Sequence, residues 1–513
     1  MRRWLLALLM LPACSSSASS APADAGRADG GDVRTDAGSS PRDAAGAGSS
    51  NDSGASADAG AEASVPPPAP AAFVTTDDLS QALSPVTVAL GAKTTADATI
   101  TVDPTTTYQS IVGFGASITD SSSYVMTKYL SAADLATLLA KLFDPAQGIG
   151  LGFLRQPLGA SDFSSVGNFS YDDGAADPAL SRFSIAQDLK ATIPVLKQAL
   201  AVAPGLVVLG TPWSPPAWMK NNDSMDGTGG GGGSSGLAGD AYDPLAQYFV
   251  KWVQAYVAQG IPVRAVTPQN EPLNGAAAYP GMDLDAPSEL ALIATHMGPA
   301  FQSAGLTTQI WAYDHNWDVE SYPAQIMSDA TAGGFTEGAA FHCYGGDPSA
   351  MTTFHQAFPQ KSVYMTECSG GTWQSDPFAS TIDLAIDSTA NWARAVALWN
   401  MALDENAGPQ NDGCSTCRGV VTVNSGSGEV TYNADYYALG HFAKFVRPGA
   451  VRIASASSSG SLNQVAFANT AGSLVFIAHN TGSSSMTVRV GTGAASMDVT
   501  VPSNAAVTLI WTP

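Results

Sequence analysis

Between Gln109 and about Ala402 the chain alternates short apolar runs with longer amphipathic ones, and this alternation limits the possible folds more than any other feature. Eight runs of strand length recur, at residues 111–115, 153–157, 206–210, 263–267, 308–312, 339–343, 362–366 and 395–399. They are short and largely apolar, as expected of strands buried on both faces of a parallel sheet. The segments between them carry helical spacing, most clearly at 243–259. There Asp243 can cap the first turn, Pro244 suits the first helical position and Gly260 suits the stop. Leu245, Tyr248, Phe249, Trp252, Val253 and Tyr256 fall on one face of that helix. Eight βα units of this length predict an α/β fold, the closed (β/α)8 TIM barrel, with its active site at the carboxyl ends of the strands.

Two of those strand ends carry glutamates. The fourth strand runs into Thr267-Pro-Gln-Asn-Glu-Pro-Leu-Asn274, where Pro268 and Pro272 stop regular structure and leave Glu271 on the rim. The seventh runs into Thr366-Glu-Cys-Ser-Gly370, which leaves Glu367 on the same rim. A pair of carboxylates across a barrel mouth is what glycoside cleavage requires: one protonates the leaving oxygen while the other attacks or stabilises the sugar carbon.

Outside the barrel the pattern changes. Residues 86–90 and 98–102 alternate like half-buried antiparallel strands, and so do 464–468, 474–478, 486–490 and 506–511. They predict one attached β-sandwich built from both ends of the chain, 73–108 and 441–513, around a barrel at 109–440. Residues 15–72 are Ala, Ser, Gly, Asp and Pro with almost no large apolar side chain, which predicts a disordered linker. Ahead of it, Arg2 and Arg3 precede an apolar run from Trp4 to Leu11, too short to span a bilayer, and then Leu11-Pro-Ala-Cys14. This order resembles a bacterial lipoprotein signal, residues 1–14, with lipid on Cys14. It predicts an exported lipoprotein of the outer membrane, cell surface or periplasm, touching membrane only through that anchor. With 44 Asp and Glu against 22 Lys and Arg, the chain lacks the basic character that nucleic-acid binding needs.

Several stretches together resemble glycoside hydrolase family 30, the glucosylceramidase-like group, over roughly residues 105–455. They are Gly113-Phe-Gly-Ala-Ser-Ile-Thr-Asp120, Arg155-Gln-Pro-Leu-Gly-Ala-Ser-Asp-Phe163, Thr211-Pro-Trp-Ser-Pro-Pro-Ala-Trp-Met-Lys220 and Gln269-Asn-Glu-Pro272. His342-Cys-Tyr344, Thr366-Glu-Cys368, Trp399-Asn400 and Gly440-His-Phe-Ala-Lys-Phe445 complete the set. The resemblance implies a retaining mechanism with Glu271 as acid/base and Glu367 as nucleophile. It implies that Asp162 holds sugar hydroxyls, that Trp213 stacks on the ring, and that Asn270 meets the 2-hydroxyl. Arg155, Tyr344 and Trp399 should line the same pocket, with Arg155 read equally as an ion-pair partner inside the barrel.

His342 is read as an orienting hydrogen-bond partner, since no other His or Cys stands at metal-ligand spacing. No metal and no cofactor is expected. The substrate is a carbohydrate or glycolipid: a β-glucoside of the glucosylceramide type, with β-1,6-glucan as the alternative. A reading from another class is a surface carbohydrate-binding protein without turnover. A monomer is expected. In an exported chain, Cys414 and Cys417 are close enough to form a disulfide. Cys343 and Cys368, which follow neighbouring strands, are expected to be free thiols. Cys343 also stands where some relatives carry tryptophan.

Overall fold

The computed structural model describes residues 69–91, 95–229, 233–493 and 495–513, so Cys14, the signal segment and nearly all of the linker lie outside the described residues. Eight parallel strands close into a barrel in chain order: β1 (Gly113–Ser117), β2 (Phe153–Pro157), β3 (Val207–Thr211) and β4 (Val263–Val266), followed by β5 (Gln309–Asn316), β6 (Thr336–His342), β7 (Ser362–Glu367) and β8 (Ala393–Asn400). Each predicted strand overlaps one of these. The helix Tyr242–Ala258 buries the six apolar residues named above, and Gly260, at φ 82°, ends it. Its cap differs from expectation. The cap position is Ala241, without a side-chain bond, and Asp243 instead holds His296 Nδ1 at 2.5 Å.

The inward-facing residues of the barrel form two levels. Phe153, Leu209, Ala265, Ala340 and Tyr364 share an apolar layer with Trp311, which stacks on Tyr364 at 3.5 Å. Two residues further along each strand, on the same face, stand Arg155, Thr211, Thr267, His342 and Thr366, all buried and all polar. The apolar layer is a packed core, and the polar level above it is the floor of the barrel mouth.

The sandwich is one ten-stranded sheet folded over itself: Val74 and Leu509 share a single apolar cluster with Val488 and Val499, which lie at the far side of the strand order. Its first strand, Ala71–Thr76, begins inside the stretch read as linker and pairs with Ala505–Trp511. Two further strands lie outside the predicted set: Val451–Ser457, and Ser496–Val501, although the second alternates Met497, Val499 and Val501 with Asp498 and Thr500. The barrel's last helix, Ala434–Ala443, fastens the two parts through His441, whose ring nitrogens lie 2.8 Å from Thr75 Oγ1 and from Thr508 Oγ1.

Candidate active site

Strand β5 supplies the side chain around which the mouth is built. Regular alternation after Trp311 would aim Tyr313 inward. Instead Ala340 of β6 pairs with Tyr313 and the next residue, Phe341, pairs with His315, so Asp314 is the extra residue of a bulge. Tyr313 and Asp314 have φ of 80° and 62°, the left-handed region that side chains disfavour. The bulge turns the Asp314 carboxylate into the polar level. There it accepts from Arg155 Nη2 at 2.6 Å, Thr366 Oγ1 at 2.6 Å and Thr267 Oγ1 at 2.9 Å, and it faces His342 Nε2 at 3.1 Å. Burial opposes its charge, but Arg155 and His342 hold it well below the usual carboxylate range. Asp314 was not singled out in the sequence. The only signal was the polar run Asp-His-Asn at the end of a strand read as finishing at Ala312.

Arg155, wholly buried, links this hub to both candidate glutamate segments. Nη1 donates to Glu367 at 2.5 Å, and Nη2 also donates to Asn270 Oδ1 at 2.7 Å. The other Glu367 oxygen accepts from Tyr344 Oη at 2.8 Å. Burial raises Glu367 on balance, against the pull of His342 and Arg155. Glu271 sits at φ 46°, held there by its amide bond to Asp314 O, and its carboxylate accepts from Asn274 Nδ2 at 2.8 Å.

One imidazole lies between the two glutamates. His342 Nδ1 is 3.2 Å from Glu271 Oε1 and 4.0 Å from Glu367 Oε1. Burial alone would raise Glu271 and depress His342. The contact with His342 draws Glu271 down to about 2, while Glu367 and Asp314, helped by the Glu271 hydrogen bond, lift His342 to about 9.

Above this floor opens a pocket of about 440 Å³. Glu271, Glu367, Asp162, Trp213, Asn270, Tyr344 and Trp399 all line it, whereas Arg155 and His342 lie beneath. The Trp213 and Trp399 rings stack at 4.6 Å, and the Arg155 guanidinium lies over Trp213 at 4.8 Å. Asp162 Oδ1 has no hydrogen-bond partner among the described residues, and burial with two neighbouring glutamates pushes that carboxyl well up. Tyr279, His315, Asn316, Ser369 and Trp373 also reach the pocket and were not anticipated.

The cysteines require a correction. Cys343 and Cys368 are not free thiols but are bonded to each other, with Cα atoms 5.4 Å apart. They follow the adjacent strands β6 and β7 directly, so the barrel itself brings them to bridging distance. The bond ties the segment carrying His342 and Tyr344 to the one carrying Glu367. Cys414 and Cys417 are also bonded, at the edge of the pocket.

Two strand-end glutamates in one tryptophan-lined barrel mouth are the arrangement of a glycoside hydrolase. The chain belongs to glycosyl hydrolase family 30: the family's TIM-barrel domain matches residues 111–446 and its β-sandwich domain residues 449–509. An endo-1,6-beta-D-glucanase of Neurospora crassa is 39% identical over 375 residues, 72% of this chain and 77% of that one. A putative glucosylceramidase 4 of Caenorhabditis elegans is 32% identical over 381 residues, 70% and 72% of the two chains. Among solved structures, the endo-beta1,6-glucanase BT3312 superposes with a TM-score of 0.81 at 33% identity, covering 86% of this chain and 99% of that one.

Proposed function

We propose that the protein hydrolyses β-glucosides with retention of configuration, through a covalent glycosyl-enzyme on Glu367 with Glu271 as acid/base. The observation that carries this reading is that both carboxylates converge on His342 Nδ1, at 3.2 and 4.0 Å. A shared neighbour limits how far apart the two carboxylates can lie, and that range includes the close spacing of retaining enzymes, about 5–5.5 Å.

The sugar ring rests on Trp213, and Asp162 receives its hydroxyls. Arg155 and Tyr344 each hold one oxygen of Glu367, which fixes the carboxylate beneath the anomeric carbon. The departing oxygen needs a proton. His342 Nδ1, 3.2 Å from Glu271 Oε1, is placed to pass one across and make the neutral acid. Once Glu367 is esterified its negative charge is gone, and Glu271 can accept a proton from the attacking water.

Two substrates have equal support from the relatives: a glucosylceramide-type β-glucoside and β-1,6-glucan. Release of glucose or oligosaccharide from the two, assayed side by side with xylan, separates them. We further propose that the protein is an exported monomer held to a membrane by lipid on Cys14, on the strength of the N-terminal order of charged, apolar and Leu-Pro-Ala-Cys residues. Equal partitioning of wild type and Cys14→Ser into the soluble fraction would refute the anchor.

The roles of the glutamates are tested by the stereochemistry of rescue. Glu271→Ala should still form the glycosyl-enzyme from aryl glycosides whose leaving group needs no proton, and azide should restore turnover as the β-glycosyl azide. Glu367→Ala should lose turnover on the same substrates, and any azide product should be α. The opposite pair of products would exchange the two roles.

A further inference from the structure

We propose that Glu271, His315 and His342 form a binding site for a first-row divalent cation such as Zn2+, and that the bound ion reversibly switches the active site off. The three side chains come from three consecutive strand ends. Glu271 Oε1 lies 3.2 Å from His342 Nδ1 and 3.9 Å from His315 Nδ1, and all three ligand atoms fall within 4.8 Å of one another. A tetrahedral Zn2+ with bonds of about 2.0–2.1 Å sets its ligand atoms roughly 3.3 Å apart; Glu271 Oε1 and His342 Nδ1 already stand at that spacing, and the set closes when the His315 ring moves toward them.

Two further observations point to a ligand here. His315 is 9% exposed, and its Nδ1 is buried without a hydrogen-bond partner among the described residues, although the residue reaches the pocket. His342 presents its other nitrogen, Nε2, to Asp314 Oδ1 at 3.1 Å. A carboxylate behind a histidine in this way keeps the hydrogen on Nε2, leaves the Nδ1 lone pair forward and raises its basicity as a ligand. Two imidazoles and one carboxylate, with the remaining position open to the pocket, are a donor set that suits Zn2+.

The consequence for activity follows from which atoms the ion would occupy. It takes the Glu271 oxygen and the His342 nitrogen, so Glu271 can no longer carry a proton, and the ion stands where the departing glycosidic oxygen must be protonated. Only this inhibitory half rests on the hydrolase reading above. The binding half stands on the geometry alone.

Co2+ is the probe, since its visible absorption reports four-coordinate geometry directly. Metal-stripped wild type titrated with Co2+ should develop tetrahedral d–d bands saturating at one ion per chain. Hydrolysis of an aryl β-glucoside should fall in parallel with the bands, Zn2+ should bleach them while keeping the enzyme inhibited, and a chelator should restore hydrolysis. His315→Ala and the bulkier His315→Gln should each weaken Co2+ binding at least tenfold, with inhibition read against each variant's own metal-free rate. Absence of the bands, or an unchanged Co2+ titration in both folded variants, overturns the site. Bands at one ion per chain with undiminished hydrolysis would leave the site standing and overturn the inhibition. That last result would also count against Glu271 as the acid.

Discussion

Replacing Arg155 by lysine separates geometry from charge at the centre of the site. The guanidinium reaches three acceptors at once: Glu367 at 2.5 Å through Nη1, and Asn270 and Asp314 at 2.7 and 2.6 Å through Nη2. Lysine keeps the positive charge but concentrates it on one ammonium at the end of a flexible stem. In this buried space it can serve one carboxylate well and must release the other, together with Asn270. Two hydrogen bonds to charged groups are then lost, each worth about 1.5–3 kcal/mol, or roughly 3–6 kcal/mol together. The Glu367 contact matters for rate because it fixes that carboxylate in line for attack on the anomeric carbon. If about half of the loss falls on that step, kcat/KM drops by roughly 10- to 10²-fold, at 1.36 kcal/mol per tenfold. Arg155→Met removes the charge as well and should cost ~3–5 kcal/mol of stability, since Asp314 and Glu367 are left buried without their cation. The assay is kcat/KM on an aryl β-glucoside alongside urea unfolding for both variants. An Arg155→Lys enzyme within about threefold of wild type would refute the reasoning, leaving Arg155 as the ion-pair partner of Asp314 alone.

Two other outcomes are expected. His441 is buried between barrel and sandwich, and burial, with His479 adding to it, pushes it down to about 3 from an unfolded value near 6.5. The unfolded chain therefore binds this proton first, and the stability that neutral His441 gives is complete above pH 6.5 and is lost as pH falls toward 3. At pH 5 the loss is about 2 kcal/mol, so urea midpoints at pH 7 and pH 5 should differ more in wild type than in His441→Gln; equal differences would refute the linkage. Unreduced, denatured protein should show no alkylatable thiol at Cys343, Cys368, Cys414 or Cys417. The double variant Cys343→Ser/Cys368→Ser should lose about 3 kcal/mol of stability for a loop of this length, and a variant as stable and as active as wild type would show that the bond positions nothing.

The barrel was legible because burial on both faces leaves its strands as short apolar runs, which local composition records. Glu271 and Glu367 were legible for a related reason: prolines or a glycine end their strands, and a strand end in this fold is a position on the rim. The strand Val451–Ser457 was not legible, because most of its residues are only partly buried and it shows no clear alternation. Asp314 was hidden by its bulge, since regular alternation assigns the inward position to Tyr313, and only pairing with β6 shows the skipped residue. Cys343 and Cys368 were misread although the sequence already set them after neighbouring strands: only the register between those strands brings their Cα atoms to 5.4 Å. His342 could be suspected of orienting a neighbour, but a search by sequence spacing could not find His315 or Glu271 beside it. Periodicity and chain breaks report which face a residue shows and where an element stops, so the amino-acid order alone determined the barrel, the rim and its two glutamates. Which side chains meet across that rim depends on strand register and on bulges, and these are decided by pairing between segments far apart in the chain.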